Sequence, residues 1–549
     1  LLNWQSCKRP PRRASTAIFA GVAILVGLYD LWAVRSAGYR FLWNQDLPGY
    51  YDYLGRAFAA GHLYLPIQPA PEVLALSNPY DPTAAVDFKM HDMAYRNGRY
   101  YLYHGPAPAL LLFAPFRLLT RHDLPENFAL FLLCYGGFLF SAAALLRLVD
   151  LAAVRSPSAF LAILLLALAV CQCVPYLMSR VWVYEIAIGG AYLFSSAAIF
   201  FLFRGWWVAS GLMFGLAVAS RPHMFFAAAI ALVAIAAQRK LRAHLPAFTG
   251  ALALVGIAIA AYNYARFSDP FEFGVHYLFA GANQNRVHLA VANLVPGLYH
   301  FLFAAPEFAP VFPWVHLVTR PITLPPGYFI EPLAGALWLA PFFLAAFAVP
   351  QCSIRPWLWM LSASSVVIML FLAATGFTTQ RYEVDFLPML VLAALVVCVV
   401  RGWRPALVPV ILYSVVVNLA LGITGPYDEM LRNRPQTFVH IARWFSPLSD
   451  YRPALNPHIA RDLAAPRITI GDRTLHYELS ARDHRLISKS DTSTVVGDLP
   501  TDTTPRLHFD YTAPHVTISF GGRPVLTHDV GPLVSAPSQI HVGVAGEQP

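Results

Sequence analysis

Long apolar runs separated by short basic connections occupy the chain up to residue 423, and short alternating stretches replace them near its end. A helix needs about 20 mostly apolar residues to cross a bilayer core. Runs of that kind predict eleven membrane-spanning helices, at 16–34, 127–149, 158–178, 184–203, 205–220, 222–238, 246–265, 331–349, 355–375, 384–400 and 405–423. A further apolar stretch, 107–120, is ambiguous by length alone.

Charge resolves that ambiguity, because Lys and Arg beside span ends stay in the cytoplasm. With 107–120 lying on the outer surface, the inner side collects Lys8, Arg9, Arg12, Arg13, Arg147, Arg155, Arg204, Arg239, Lys240, Arg242, Arg355, Arg401 and Arg404, against the single acid Asp150. Inserting 107–120 would move every cluster after the first to the wrong side. Residues 1–15 are then cytoplasmic, and the large segments 35–126, 266–330 and 424 onward all face outward. Asp30, Trp32 and Arg35 stand where a cleavage site would need small residues, so the first span reads as an uncleaved helix.

The outer segments carry their own patterns. Between Asp46 and Ala60, Tyr50, Leu54, Ala57 and Phe58 recur at helical spacing, predicting an amphipathic surface helix. Asn97-Gly98 between aromatic residues predicts a hairpin turn within 95–103. Residues 424–454 form a connector whose Phe438–Phe445 portion is amphipathic. From 455 to 549, alternation such as Val516, Ile518 and Phe520 before Gly521-Gly522 predicts strands. The expected architecture is a polytopic α-helical membrane protein of about 11 transmembrane helices with outer amphipathic helices. To it is added a small C-terminal all-β domain, a sandwich or jelly-roll.

Composition agrees: 57% of residues are apolar and 13% charged, against roughly 25% charged in soluble domains. That excludes an ordinary soluble enzyme, and 12 Trp, 26 Tyr and 38 Phe exclude a disordered chain. The net charge of +9 is accounted for by the inner clusters, leaving no nucleic-acid footprint. The six cysteines lie on the inner side or within spans, so no outer disulfide is expected, and Cys171 and Cys173 read as small core residues. The chain has no Asn-X-Ser/Thr acceptor, which favours a bacterial envelope. His91-Asp92 lacks a third ligand, so a divalent metal is not expected.

Outward-facing ionisable residues are the candidates for chemistry. Asp46 opens the surface helix, where an acid is favoured by the helix dipole; on the residues alone an N-cap is its commoner role. Asp52 and Arg56 are spaced to pair on one face. Glu185, in Arg180-Val-Trp-Val-Tyr-Glu185, either pairs with Arg180 or serves the acceptor side. Arg221 stands between two short spans and Arg381 opens the tenth; each is a snorkelling cation or a phosphate ligand. His104 caps a turn or donates to phosphate. Glu272 and His276 either line the acceptor side or fold their own loop. Asp30, inside the first span, calls for a buried partner.

The stretch Asp46-Leu-Pro-Gly-Tyr50-Tyr-Asp52-Tyr-Leu-Gly-Arg56 through Gly61 to Pro66 resembles the first outer loop of the GT-C superfamily of membrane glycosyltransferases. It is especially similar to the glycosyltransferase family 39 type, which includes lipid A aminoarabinose transferase and protein O-mannosyltransferases. Asp46, Tyr50, Gly61 and Pro66 fall on that pattern without a gap. The family's Lys-Pro-Pro step is replaced here by Tyr103-His104-Gly105-Pro106, without the Lys. The resemblance covers residues 16 to 423 chiefly through topology and is specific around 46–66.

It implies an inner-membrane enzyme that moves a monosaccharide from a polyprenyl-phosphate donor to a hydroxyl of a glycan, lipid or protein. Asp46 would be the general base. Arg221, Arg381 and His104 would meet the donor phosphate, with Tyr50, Asp52, Glu185, Glu272 and His276 on the substrate side. No cofactor is called for. A polymerase or ligase using diphosphate-linked oligosaccharide and a flippase are the alternatives. The tail domain either binds glycan, through Tyr477 or Tyr511, or covers the site. Oligomeric state is open.

Overall fold

The computed structural model describes residues 12–36, 49–81, 84, 88–154, 156–279, 289–310, 312–319, 322–426 and 429–445, and nine strands between 459 and 544. The chain divides into two compact units, residues 1–308 with 315–427, and 309–314 with 428–549.

The first unit is helical. Eight of its described helices are long and apolar enough to cross a membrane: Thr16–Ser36, Glu126–Leu151, Ser158–Leu177, Val183–Arg204, Arg239–Phe267, Arg355–Ala374, Gln380–Arg401 and Leu407–Thr424. The chain is a multi-pass, largely α-helical membrane protein. Gln380–Arg401 is its central helix, with 94% of its apolar window buried, whereas Arg239–Phe267, at 17%, is peripheral. Lipid tails supply no hydrophobic drive between helices, so close approach at small residues matters. Gly137 lies so near Tyr192 that a Cβ there would meet the ring at 2.4 Å, and Ser141 donates to Ser196 at 2.9 Å across the same helix pair.

Three expected spans depart from the prediction. Residues 205–220 and 222–238 become the short helices Trp207–Val218 and Phe225–Ala237, the second entered through one 3-10 turn at Pro222–Met224. At 1.5 Å per residue each is about two thirds of a ~30 Å core. Residues 331–349 form no span-length helix but the pieces Ala336–Leu339 and Pro341–Phe347. Pro332, Gly335 and Pro341 interrupt the helical hydrogen-bond ladder there, and Gly335 is pressed against the Leu302 backbone, 2.4 Å from where a Cβ would lie.

The surface helix runs Tyr50–Ala59 and buries Tyr51, Leu54 and Ala57. Tyr51, not Tyr50, is thus its inward aromatic, stacked on Phe113 at 5.7 Å. The ambiguous 107–120 stretch is a 12-residue apolar helix, Ala109–Thr120, too short to span; Gly55 packs against Phe113 within it. Arg56 hydrogen-bonds Asp123 through Nε at 2.9 Å, with a second contact through Nη2. The predicted hairpin forms between Met93–Arg96 and Arg99–Tyr101, with Asn97 and Gly98 both at positive φ (51° and 73°) as a two-residue turn requires. Leu278–Phe279 adds a third strand, joining segments 35–126 and 266–330.

In the second unit the Pro435–Phe445 helix buries Phe438 and Ala442, and Phe312 stacks on Phe445 at 5.4 Å. The nine strands form a five-stranded and a four-stranded sheet, each antiparallel. His515–Phe520 pairs antiparallel with Arg523–Asp529, and the buried residues Ile518 and Leu526 face each other across the pair; the turn expected at 521–522 lies outside the described residues.

Candidate functional site: two buried arginines and a neutral histidine

The loop following the hairpin sets the site. Gly105 lies against the turn between the two short helices, where a Cβ would come within 2.0 Å of the Ala219 carbonyl oxygen. Tyr51 Oη donates to the Gly105 carbonyl at 3.0 Å from the other side. Only a glycine permits that approach, and it carries His104 next to Arg221. The His104 ring packs on Tyr103 at 4.0 Å and meets Tyr184 edge-on at 5.3 Å. Arg381 covers the Tyr184 ring at 4.4 Å. A continuous layer of rings and guanidinium groups thus links the loop, the short-helix turn and two spanning helices.

Both arginines are buried, Arg381 at 3% exposure and Arg221 at 9%. Arg221 Nη2 donates to Asp385 Oδ2 at 2.8 Å, and His223 Nε2 stands 3.1 Å from the same oxygen. Arg381 Nη1 donates to Glu331 Oε2 at 2.7 Å, and Thr379 Oγ1 donates to that oxygen at 2.6 Å. Tyr382 presents its ring to Arg221 at 4.9 Å. Among the described residues, the Nε groups of both arginines and His104 Nε2 have no hydrogen-bond partner. Buried donors without partners are rare and costly. Burial, reinforced by Arg221 and then Arg381, holds the His104 pKa well below the usual imidazole value, so the ring is neutral at pH 7.

The start of the central helix is pinned by a polar knot. Gln380 Oε1 accepts from Ala334 N at 2.6 Å and its Nε2 donates to Cys173 Sγ at 3.2 Å, while Cys173 Sγ contacts Glu383 Oε2 at 3.3 Å. Cys173 is buried, in a left-handed backbone conformation.

The remaining expected residues are placed as follows. Asp46 lies outside the described residues. Glu185 accepts from the Trp182 N–H at 3.1 Å, the contact of an N-terminal cap, with Arg180 Nε 4.0 Å away over the Trp182 ring. Tyr50 donates to the His91 carbonyl at 3.0 Å. Asp52 accepts from Gly49 N at 3.1 Å; burial first, then the neighbouring Glu126, pushes its pKa up to about 9. Glu272 contacts His276 and accepts from Gly274 N, so that pair folds its own loop, with His276 exposed. Asp30 is buried in the first span.

Several participants carry no sequence expectation as neighbours of the arginines. Asp385 follows Arg381 by four residues, a helical spacing that does signal a shared face. His223 is two residues from Arg221. Glu331 lies 50 residues from Arg381 and has no local signal. Asp92, at positive φ with a buried carboxyl, has its pKa raised by burial, opposed by His91 and then Arg381. Among the described residues no three His, Cys, Asp or Glu side chains are close enough to hold a metal ion.

Fold and site together define a multi-pass membrane protein with a buried, cationic, aromatic-lined cluster. No protein-family model matches the chain, and no curated protein does. Among solved structures, the crystal structure of ArnT from Cupriavidus metallidurans bound to undecaprenyl phosphate is similar, with 13% identity, 80% of this chain and 82% of that chain covered, and a TM-score of 0.44. A likeness that faint assigns neither family nor site.

Proposed function

We propose that the chain is a GT-C-type membrane glycosyltransferase of the bacterial inner membrane. It moves a monosaccharide from a polyprenyl-phosphate donor to an acceptor hydroxyl on the outer face. One observation carries this reading: Arg221 and Arg381, buried and each with an unpaired Nε–H, flank a neutral His104 whose Nε2 is also unpaired. Three unpaired nitrogens in a buried cluster suit a phosphodiester, since guanidinium–phosphate bonds gain most where water is excluded. The Asp46 to Pro66 pattern supplies the family resemblance.

In the proposed reaction Asp46 takes the proton from the acceptor hydroxyl as its oxygen attacks the anomeric carbon. The bond from that carbon to the phosphate oxygen breaks, and the polyprenyl phosphate leaves with the electron pair. Arg221 and Arg381 stabilise the charge that develops on it. A single displacement opposite the leaving group inverts the anomeric centre.

The test is transfer of a labelled sugar from polyprenyl phosphate by the full chain reconstituted in vesicles. Asp46→Asn is expected to lower kcat by roughly 100-fold or more, and Arg381→Gln to raise the donor KM with little change in acceptor KM. Undiminished turnover by the Asp46 variant removes it as the base. Block transfer from a diphosphate-linked oligosaccharide, or lipid flipping without transfer, would replace the proposed reaction by one of its alternatives.

A further inference from the structure

Asp385 is fully buried and the proposed reaction does not use it, yet it joins the two arginines mechanically. It lies in the first turn of the α-helix Glu383–Arg401, four residues after Arg381, which sits in the 3-10 turn Gln380–Tyr382 that opens this span. Arg221 comes from a different place, the turn between two short helices, and its Nη2 is anchored on Asp385 Oδ2 at 2.8 Å. Arg381 is held separately, by Glu331 at 2.7 Å, itself fastened by Thr379. Each guanidinium therefore has one end tied to a carboxylate and its Nε unpaired. Asp385 binds through one oxygen only: Oδ2 takes Arg221 with His223 at 3.1 Å, and Oδ1 is without a hydrogen-bond partner among the described residues.

We infer that Asp385 is a positioning residue that sets the spacing between the Arg221 and Arg381 guanidinium groups, so that one phosphate can be held by both. It acts through Arg221 and does not touch the ligand. The inference rests on the phosphate site proposed above. A carboxylate four residues after one arginine in the continuous span Gln380–Arg401, and bonded to the other arginine, ties their separation to that one span. Without it Arg221 would rest only on a short turn and the Tyr382 ring.

The experiment measures equilibrium binding of undecaprenyl phosphate to the full chain in phosphatidylcholine nanodiscs, with undecaprenol, which lacks the phosphate, as the control. Asp385→Asn and Arg221→Gln are each expected to weaken undecaprenyl phosphate binding about tenfold and to leave undecaprenol binding unchanged. The double variant should bind as Arg221→Gln alone does, because a residue acting through Arg221 has nothing to add once Arg221 is gone. Additive losses would overturn the inference, as would unaltered binding by Asp385→Asn. Asp385→Glu keeps the charge but shifts it by one methylene; full wild-type affinity in that variant would also overturn the spacing role. If Asp385→Asn alone fails to fold, the double variant, which leaves no unpaired buried charge, still decides the comparison with Arg221→Gln. Unchanged affinity in Arg221→Gln itself would instead remove the phosphate site and leave the two failures distinct.

Discussion

At single positions the dominant physics is desolvation. Asp52 keeps its proton up to about pH 9 in the folded chain, whereas a free aspartate loses it near 3.8. Between those values the folded state binds the extra proton, so stability falls as pH rises across that window. Asp52→Asn keeps an oxygen for Gly49 N and removes the dependence. Its unfolding temperature should exceed that of wild type at pH 8 and converge with it towards pH 4; a deficit at both values would mean that the site prefers an anion. His104 is shifted the other way and stays neutral. In His104→Gln, donor affinity should therefore drop by a constant factor from pH 5.5 to 7.5, and a step near pH 6.5 in wild type that this variant abolishes would contradict a neutral ring. Arg221, Arg381 and His104 could each be singled out in the sequence. Their carboxylate partners could not be assigned, because Asp385 is 164 residues from Arg221 and Glu331 is 50 from Arg381.

Elements follow periodicity where the local pattern is unbroken and depart from it where backbone chemistry intervenes. The Asn97-Gly98 hairpin was readable because it needs particular residues at particular places. The stripe on the surface helix holds at Leu54 and Ala57 but takes Tyr51 in place of Tyr50: the two tyrosines are chemically alike, and packing of Tyr51 and Gly55 against Phe113 sets the rotation of the helix. The 331–349 run has the composition of a span but too many prolines to be a helix. Gly105 shows how far one element controls another. Gly105→Ala should cost about 1–3 kcal/mol by overpacking and displace His104 from Arg221. An unfolding temperature and donor affinity both below wild type would show this, while Gly250→Ala, inside the helix Leu245–Phe267 with no atom within 4 Å of its Cβ position, should leave donor affinity unchanged and not lower the unfolding temperature. Equal behaviour of the two variants would mean that the loop tolerates movement.

Across the whole molecule, orientation is the property most open to a direct check. Thirteen cations against one acid on one side of the spans predict that side to be cytoplasmic. Lys240→Cys, exposed in the 3-10 turn Arg239–His244, should react with a membrane-impermeant maleimide only after spheroplasts are opened. Glu72→Cys, exposed in the first outer segment, should react in intact spheroplasts. The reverse pattern would turn the protein over and place the arginine cluster on the cytoplasmic side, where a nucleotide-sugar donor would have to be considered.

Membrane class, the positions of most spans, the Asn97-Gly98 turn and the strand-rich tail were all determined locally, because hydrophobic transfer and turn conformation depend on a few neighbouring residues at a time. The site was determined by packing. Its counter-ions come from segments far apart in sequence, its unpaired nitrogens are defined only once water is excluded, and the neutral state of His104 depends on its burial, reinforced by two arginines brought in by other segments. Those are properties of a buried volume, and they exist only when the bundle has closed around it.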